Sequence, residues 1–195
     1  QREMFCTIIR SLLPKVKTGK VVLIINVGDY KNVWEKLQEA IPELKKEAVF
    51  LDNDWEKTRF FAERLLSETT LINGIYGIYH ADLFQAVYAT NLLMRGIDLM
   101  VTKPSELAFY PVPKLFIQRV GGHEKWGAIH GAEIGDGTIE CEKVEEIIQL
   151  LDLLENDRKM IINMCECIIE NKKNGIYDGA YKVVELATGT KREGN

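Results

Sequence analysis

The run Val21-Val22-Leu23-Ile24-Ile25-Asn26-Val27 constrains this chain more than any other segment. It is short, apolar but for Asn26, rich in β-branched residues, and closed by Gly28. β-Branched side chains are stiff and pack well on a pleated surface. A run without polar alternation suits a strand buried on both faces, as in a parallel sheet. Parallel strands need crossover connections, usually helices. Residues 31–40 supply one: Val33, Trp34, Leu37 and Ala40–Ile41 recur at helical spacing, and Pro42 follows.

The same rhythm continues. Ala48–Leu51 reads as a second strand, and Trp55–Leu66 as a helix with Asp54 as its N-cap. Thr70–Ile72 reads as a third strand, and 81–95 as a helix stopped by Gly96. Leu99–Val101 and Lys114–Ile117 read as strands four and five. The stretch 121–137 is glycine-rich, and helices fit 143–154, 157–171 and 179–186. At the start, a helix over Glu3–Leu13 and a turn at Pro14 read as a lead-in. The expected fold is α/β: a Rossmann-like three-layer sandwich on a mostly parallel sheet of five or six strands. Residues 1–18 are expected as a lead-in helix or linker, 19–188 as one domain, and 189–195 as a frayed tail.

Composition excludes several functions. Twenty-five basic residues against 29 acidic ones leave a net charge of −4, so the strong positive field of a nucleic-acid binder is missing. No apolar run has the length of a membrane-spanning helix. The first residues carry no secretory signal pattern, which makes the cytoplasm the expected compartment. Cys165-x-Cys167 is not a C-x-x-C pair, so Cys6, Cys141, Cys165 and Cys167 are expected to be reduced. His123 and His130 lie seven apart with no third ligand in view, so no metal site is expected, and His80 stands isolated with no role. The chain opens on Gln1 rather than Met, which suggests a piece of a longer protein.

In open α/β sheets, ligands sit beyond the carboxyl ends of the strands. Three loops there carry chemistry. Gly28-Asp29-Tyr30-Lys31 opens a helix whose amino terminus can hold a phosphate, or it is a plain strand-to-helix turn. It is neither G-x-G-x-x-G nor a P-loop. After strand four, Pro104 forces Lys103 into an extended conformation, and Ser105 caps a helix whose first turn holds Glu106. That carboxylate can accept two hydrogen bonds from a ribose diol, or it can serve the helix dipole alone. After strand five, Gly121-Gly122 permits close backbone approach, and His123, Glu124 and Lys125 bring three ionisable types together. Trp126 stands beside them. It is read either as an exposed indole awaiting a partner or as a core residue.

Taken together, Asp98-Leu99-Met100-Val101-Thr102-Lys103-Pro104, Ser105-Glu106, Pro113 and Gly121-Gly122-His123-Glu124-x-x-Gly127-Ala128 resemble the carboxyl-terminal half of GT-B glycosyltransferases. The MurG-like and diacylglycerol glucosyltransferase-like enzymes are the nearest in pattern, and the resemblance spans about residues 19–187. It implies a Rossmann-like domain that binds a UDP-sugar as substrate, with no further cofactor. An amino-terminal domain would hold the acceptor and any peripheral membrane contact. It also implies that Gly28, Asp29, Lys103, Ser105, Glu106, Gly122, His123 and Glu124 line the nucleotide-sugar site, with Glu106 on the ribose. The family's Gly-Gly-Leu-Thr stretch between Lys-Pro and Ser-Glu has no counterpart here. Besides transfer, the resemblance leaves open a non-catalytic interaction or regulatory module, or a sugar-nucleotide epimerase or hydrolase. It assigns no catalytic residue.

Overall fold

The computed structural model describes residues 2–67 and 71–189. The chain divides into two compact units, Gln1–Ile97 and Asp98–Asn195.

The first unit is an α/β/α layer structure on three parallel strands. Its elements are α1 (Arg2–Lys17), β1 (Val22–Asn26), α2 (Lys31–Ala40), α3 (Pro42–Glu47), β2 (Ala48–Asp52), α4 (Trp55–Leu65), β3 (Gly74–Tyr79) and α5 (Leu83–Leu93). The order across the sheet is β1-β3-β2, all parallel, with Ile25 opposite Gly77 and Leu51 opposite Ile78. Period-two alternation sorts the side chains. Leu23, Ile25, Phe50, Ile75 and Tyr79 face α1, α2 and α3, in a core with Cys6, Ile9, Leu13, Trp34, Leu37 and Leu44. Ile24, Leu51, Tyr76 and Ile78 face Phe61 of α4 and Leu93 of α5.

Several expectations are corrected here. The third strand is Gly74–Tyr79, not Thr70–Ile72, and Thr70 itself lies outside the described residues. Two glycines hide this strand in the sequence, because glycine is depleted in strands. Gly77 is there for a packing reason: a Cβ on it would come within 2.5 Å of the Trp34 ring, which stacks on Phe50 with ring centroids 4.8 Å apart. Gly77→Ala should therefore destabilise the unit by about 1–3 kcal/mol through overpacking. Denaturant melts of the two proteins measure it. The first strand lies at the edge of its sheet and is half-buried rather than buried on both faces.

The leading helix is part of this core instead of a linker, and it runs through Pro14 without turning. Pro14 removes a helical hydrogen bond at a cost of about 3 kcal/mol. Burial of Cys6, Ile9, Leu13 and Val16 as one stripe on the sheet offsets it.

The second unit contains β4 (Met100–Thr102), β5 (Lys114–Phe116), α6 (Lys125–Glu133), α7 (Val144–Asn156), α8 (Lys159–Lys173) and α9 (Gly179–Thr188). β4 and β5 pair in parallel with Val101 opposite Leu115, and single bridges add Lys114 to Gly137 and Ile117 to Cys141. The ladder is thus a three-stranded and a two-stranded sheet, where one sheet of five or six strands was expected. Gly127 and Gly131 let α6 lie close to its neighbours: a Cβ would come within 2.6 Å of the Pro104 carbonyl and 2.7 Å of the Phe116 ring respectively. Among the described residues no helix is long and apolar enough to cross a membrane, and residues 190–195 of the expected tail lie outside them.

Candidate functional site

At the carboxyl edge of the first sheet, the connections from the neighbouring strands β1 and β3 diverge. The connection from β1 leaves for the face of α2, and that from neighbouring β3 leaves for the face of α5. Such a divergence between adjacent strands is where ligands of open α/β sheets bind. Backbone bonds tie the two loops together: His80 N–H donates to the Gly28 carbonyl at 3.0 Å, and Val27 N–H to that of Ile78 at 3.0 Å.

Gly28 turns the chain with φ +60°, a left-handed conformation that favours glycine. Its N–H donates to Asn26 Oδ1 at 3.0 Å, and Asn26 Nδ2 reaches Thr90 Oγ1 at 2.9 Å. Asp29 is exposed in this turn. The helix that follows, α2, has no side-chain cap at Tyr30, whereas Asp54 caps α4 and Asp82 caps α5 through the amides of Lys57 and Gln85. Lys31 opens α2 and pairs with Asp52 at 2.6 Å, its ammonium 5.6 Å from the centre of the Tyr79 ring. Beside them Asn53, at φ 54°, accepts the Ala81 N–H at 2.9 Å and so joins the β2 loop to the β3 loop.

His80 has no role in the sequence reading, yet it is the fully buried polar group of this edge. Its Nε2 lies 3.0 Å from Thr58 Oγ1, which itself donates to the Asp54 carbonyl at 3.0 Å. The hydroxyl oxygen is then the acceptor, Nε2 carries the proton, and Nδ1 is the lone-pair nitrogen. Nδ1 makes no hydrogen bond of good geometry, with the Gln85 side chain as the polar group beside it. Trp55 meets the ring edge-on at 5.7 Å. His80 directly follows β3, Gly74–Tyr79, and that position is legible only when the strand ends at Tyr79.

Burial lowers the His80 pKa, with Asp54 and Gln85 opposing. A histidine that resists protonation when folded contributes stability above its unfolded value of about 6.5. That contribution is lost as the pH falls below it. Wild-type melting temperature should therefore drop between pH 7.5 and 5.5, and the drop should shrink in His80→Asn. An equal drop in both proteins would count against His80 as the group responsible.

In the second unit, the loops after β4 and β5 come together. Lys103 Nζ lies 3.0 Å from Glu124 Oε1. The other oxygen of Glu124 accepts the N–H groups of Val120 at 2.6 Å and Gly121 at 3.2 Å. These bonds hold the Glu124 carboxyl down at about 2: first the Val120 amide, then Lys103, then Gly121, against partial desolvation. Glu124 is thus a buckle between two loops, its lone pairs already engaged, rather than a side chain offered to a ligand.

Glu106 opens a short 3-10 helix, Glu106–Phe109, directly after the β4 loop and so lies in a first helical turn as expected, but Ser105 makes no side-chain capping bond to the helix backbone. Its side chain is exposed, and its pKa is lowered by its own backbone N–H and then by the Ser105 hydroxyl. Gly122 and His123 are also exposed, with the His123 ring folded towards Gly121. Of the eight residues singled out in the sequence, the structure gathers Lys103, Ser105, Glu106, Gly122, His123 and Glu124 on neighbouring loops of the second unit. Gly28 and Asp29 belong to the loop after β1 in the first unit. Among the described residues no group of His, Cys, Asp and Glu could hold a metal ion.

A family model described as a domain of unknown function, DUF6938, matches residues 1–188. No curated protein matches the chain, and no solved structure does.

Proposed function

The chain belongs to the DUF6938 family of domains of unknown function. We propose, from the geometry of its first unit, that it binds the donor of a glycosyl transfer, a UDP-sugar. The observation that carries the reading is the uncapped amino terminus of α2, beside Gly28 and Lys31 at the point where the β1 and β3 connections diverge. Unpaired N–H groups, the helix dipole and an ammonium group together suit a diphosphate. Glu106, Gly122 and His123 are exposed on loops of the second unit and are not part of this first-unit site. The chain's own groups bind and neutralise the donor. Transfer also needs an acceptor held at attacking distance, and the reading assigns that acceptor to a partner domain.

A second reading, a glycosyltransferase-like module without catalysis that serves interaction or regulation, is favoured by one observation. Glu124 spends its carboxylate on Lys103 and two backbone amides of its own loop.

Isothermal calorimetry of the chain against UDP, UDP-glucose and UDP-N-acetylglucosamine separates the two. Donor binding predicts saturable heat with UDP. Lys31→Ala should weaken it at least about fivefold, as loss of a charge-assisted hydrogen bond does. Absence of binding to all three ligands removes the donor reading and leaves the second.

A further inference from the structure

We propose that the outer face of α6 and the depression beside it form a saccharide platform, on which Trp126 stacks against a pyranose ring while charged groups take the ring hydroxyls. The inference rests on the glycosyl-transfer reading and names a subsite for it.

Trp126 is 71% exposed. The reason lies on the opposite side of α6, where Gly127, Ala128 and Gly131 are buried and seat the helix closely on the unit. The helical period then directs position 126 outward. An indole in water forfeits a large hydrophobic gain, so an exposed one marks a contact surface more often than an exposed small side chain does. His130, one turn further on the same face, lies with its ring 6.1 Å from that of Phe109. Aromatic surface thus continues from α6 onto the turn that begins with Glu106.

On the other flank, Lys125 and Ile129 wall a half-open depression of about 200 Å³, together with Arg119, Ala128, Ile139 and Glu140. The Arg119 guanidinium forms an ion pair with Glu140 there, and the Arg119 backbone N–H donates to the other Glu140 oxygen at 2.8 Å. The depression is smaller than the roughly 300–1,000 Å³ of sites for drug-sized ligands. A pyranose has an apolar face of C–H groups and a rim of hydroxyls that donate and accept. An exposed indole beside a small hollow holding a cation, an ion pair and aliphatic walls matches both.

The test is a two-dimensional amide spectrum of the whole chain, with the Trp126 indole N–H assigned by loss of its peak in Trp126→Phe. Methyl glucoside, N-acetylglucosamine, UDP, UDP-glucose and, as an apolar control, cyclohexanol are titrated separately. The expected result is a saturable shift of the Trp126 indole and of the Lys125 and Ile129 amides with a saccharide. Trp126→Ala should weaken binding at least about tenfold, as expected for loss of a stacking contact worth about 1.4 kcal/mol. A saturable response to methyl glucoside or N-acetylglucosamine supports the platform. It is overturned if no saccharide moves these peaks, if cyclohexanol moves them equally, or if they move with protein concentration because a second copy covers the face. UDP binding without a saccharide response sinks the platform and keeps the donor reading. A saccharide response without UDP binding does the reverse.

Discussion

Replacing Asp136 by alanine is expected to cost about 3–5 kcal/mol, enough to unfold the second unit or bring it close to unfolding, because it leaves the buried ammonium of Lys114 without its counter-charge. Both side chains are fully excluded from solvent, and Nζ lies 2.7 Å from Asp136 Oδ2. Lys114 also donates to the carbonyls of Tyr110 at 2.7 Å and Val112 at 3.0 Å, so all three of its hydrogens are placed. Burial pushes its pKa down, and Asp136 pulls it back up. The Tyr177 hydroxyl donates to the same carboxylate oxygen at 2.9 Å, which anchors the segment between α8 and α9. Burial, and secondarily Asp136, drives the Tyr177 pKa well above its ordinary value. Chemical denaturation of Asp136→Ala, Tyr177→Phe and the double variant Lys114→Met/Asp136→Leu distinguishes the contributions. The double variant should be milder than the single one, since it removes both charges and keeps the volume. Equal losses for single and double variants would show that the ion pair is not the source.

The second large effect concerns Glu124. Glu124→Gln should loosen the turn over residues 120–124 and release Lys103, costing up to about 3 kcal/mol, the upper value for hydrogen bonds to a charged group. The pH dependence identifies the cause. With a folded value of about 2, the Glu124 carboxyl contributes stability that is fully present above its ordinary value of 4.5. That contribution is lost as the pH falls from there towards 2. Wild-type melts between pH 6 and pH 3 should therefore show a loss that Glu124→Gln shows less of. If the neutral variant is as stable as wild type at pH 6, the buckle is not what holds these loops. Lys103→Met offers an independent check, since it removes one partner and leaves the two amide bonds in place.

Local chemistry made much of this protein legible in its amino-acid order. Val33, Trp34 and Leu37 mark α2 because one apolar stripe every 3.6 residues has only one regular solution. Asp54 caps α4 as its position before Trp55 indicates, since the unpaired amides of a first turn lie within reach of that side chain. The parallel character of the sheets follows from apolar strand runs separated by helical ones. What the sequence could not state is which distant residues meet. Gly74–Tyr79 is a central strand because Gly77 makes room for Trp34, a contact across 43 positions that no local propensity encodes. His80 is buried because β3 delivers it against Thr58 of α4. Pro14 stays inside a helix because tertiary burial of one stripe outweighs a lost hydrogen bond. Lys114 reads as a charge at the start of a strand. Only the folded chain brings Asp136 and Tyr177 to it, because Coulomb attraction and hydrogen bonding act through space and leave no periodic trace along the chain.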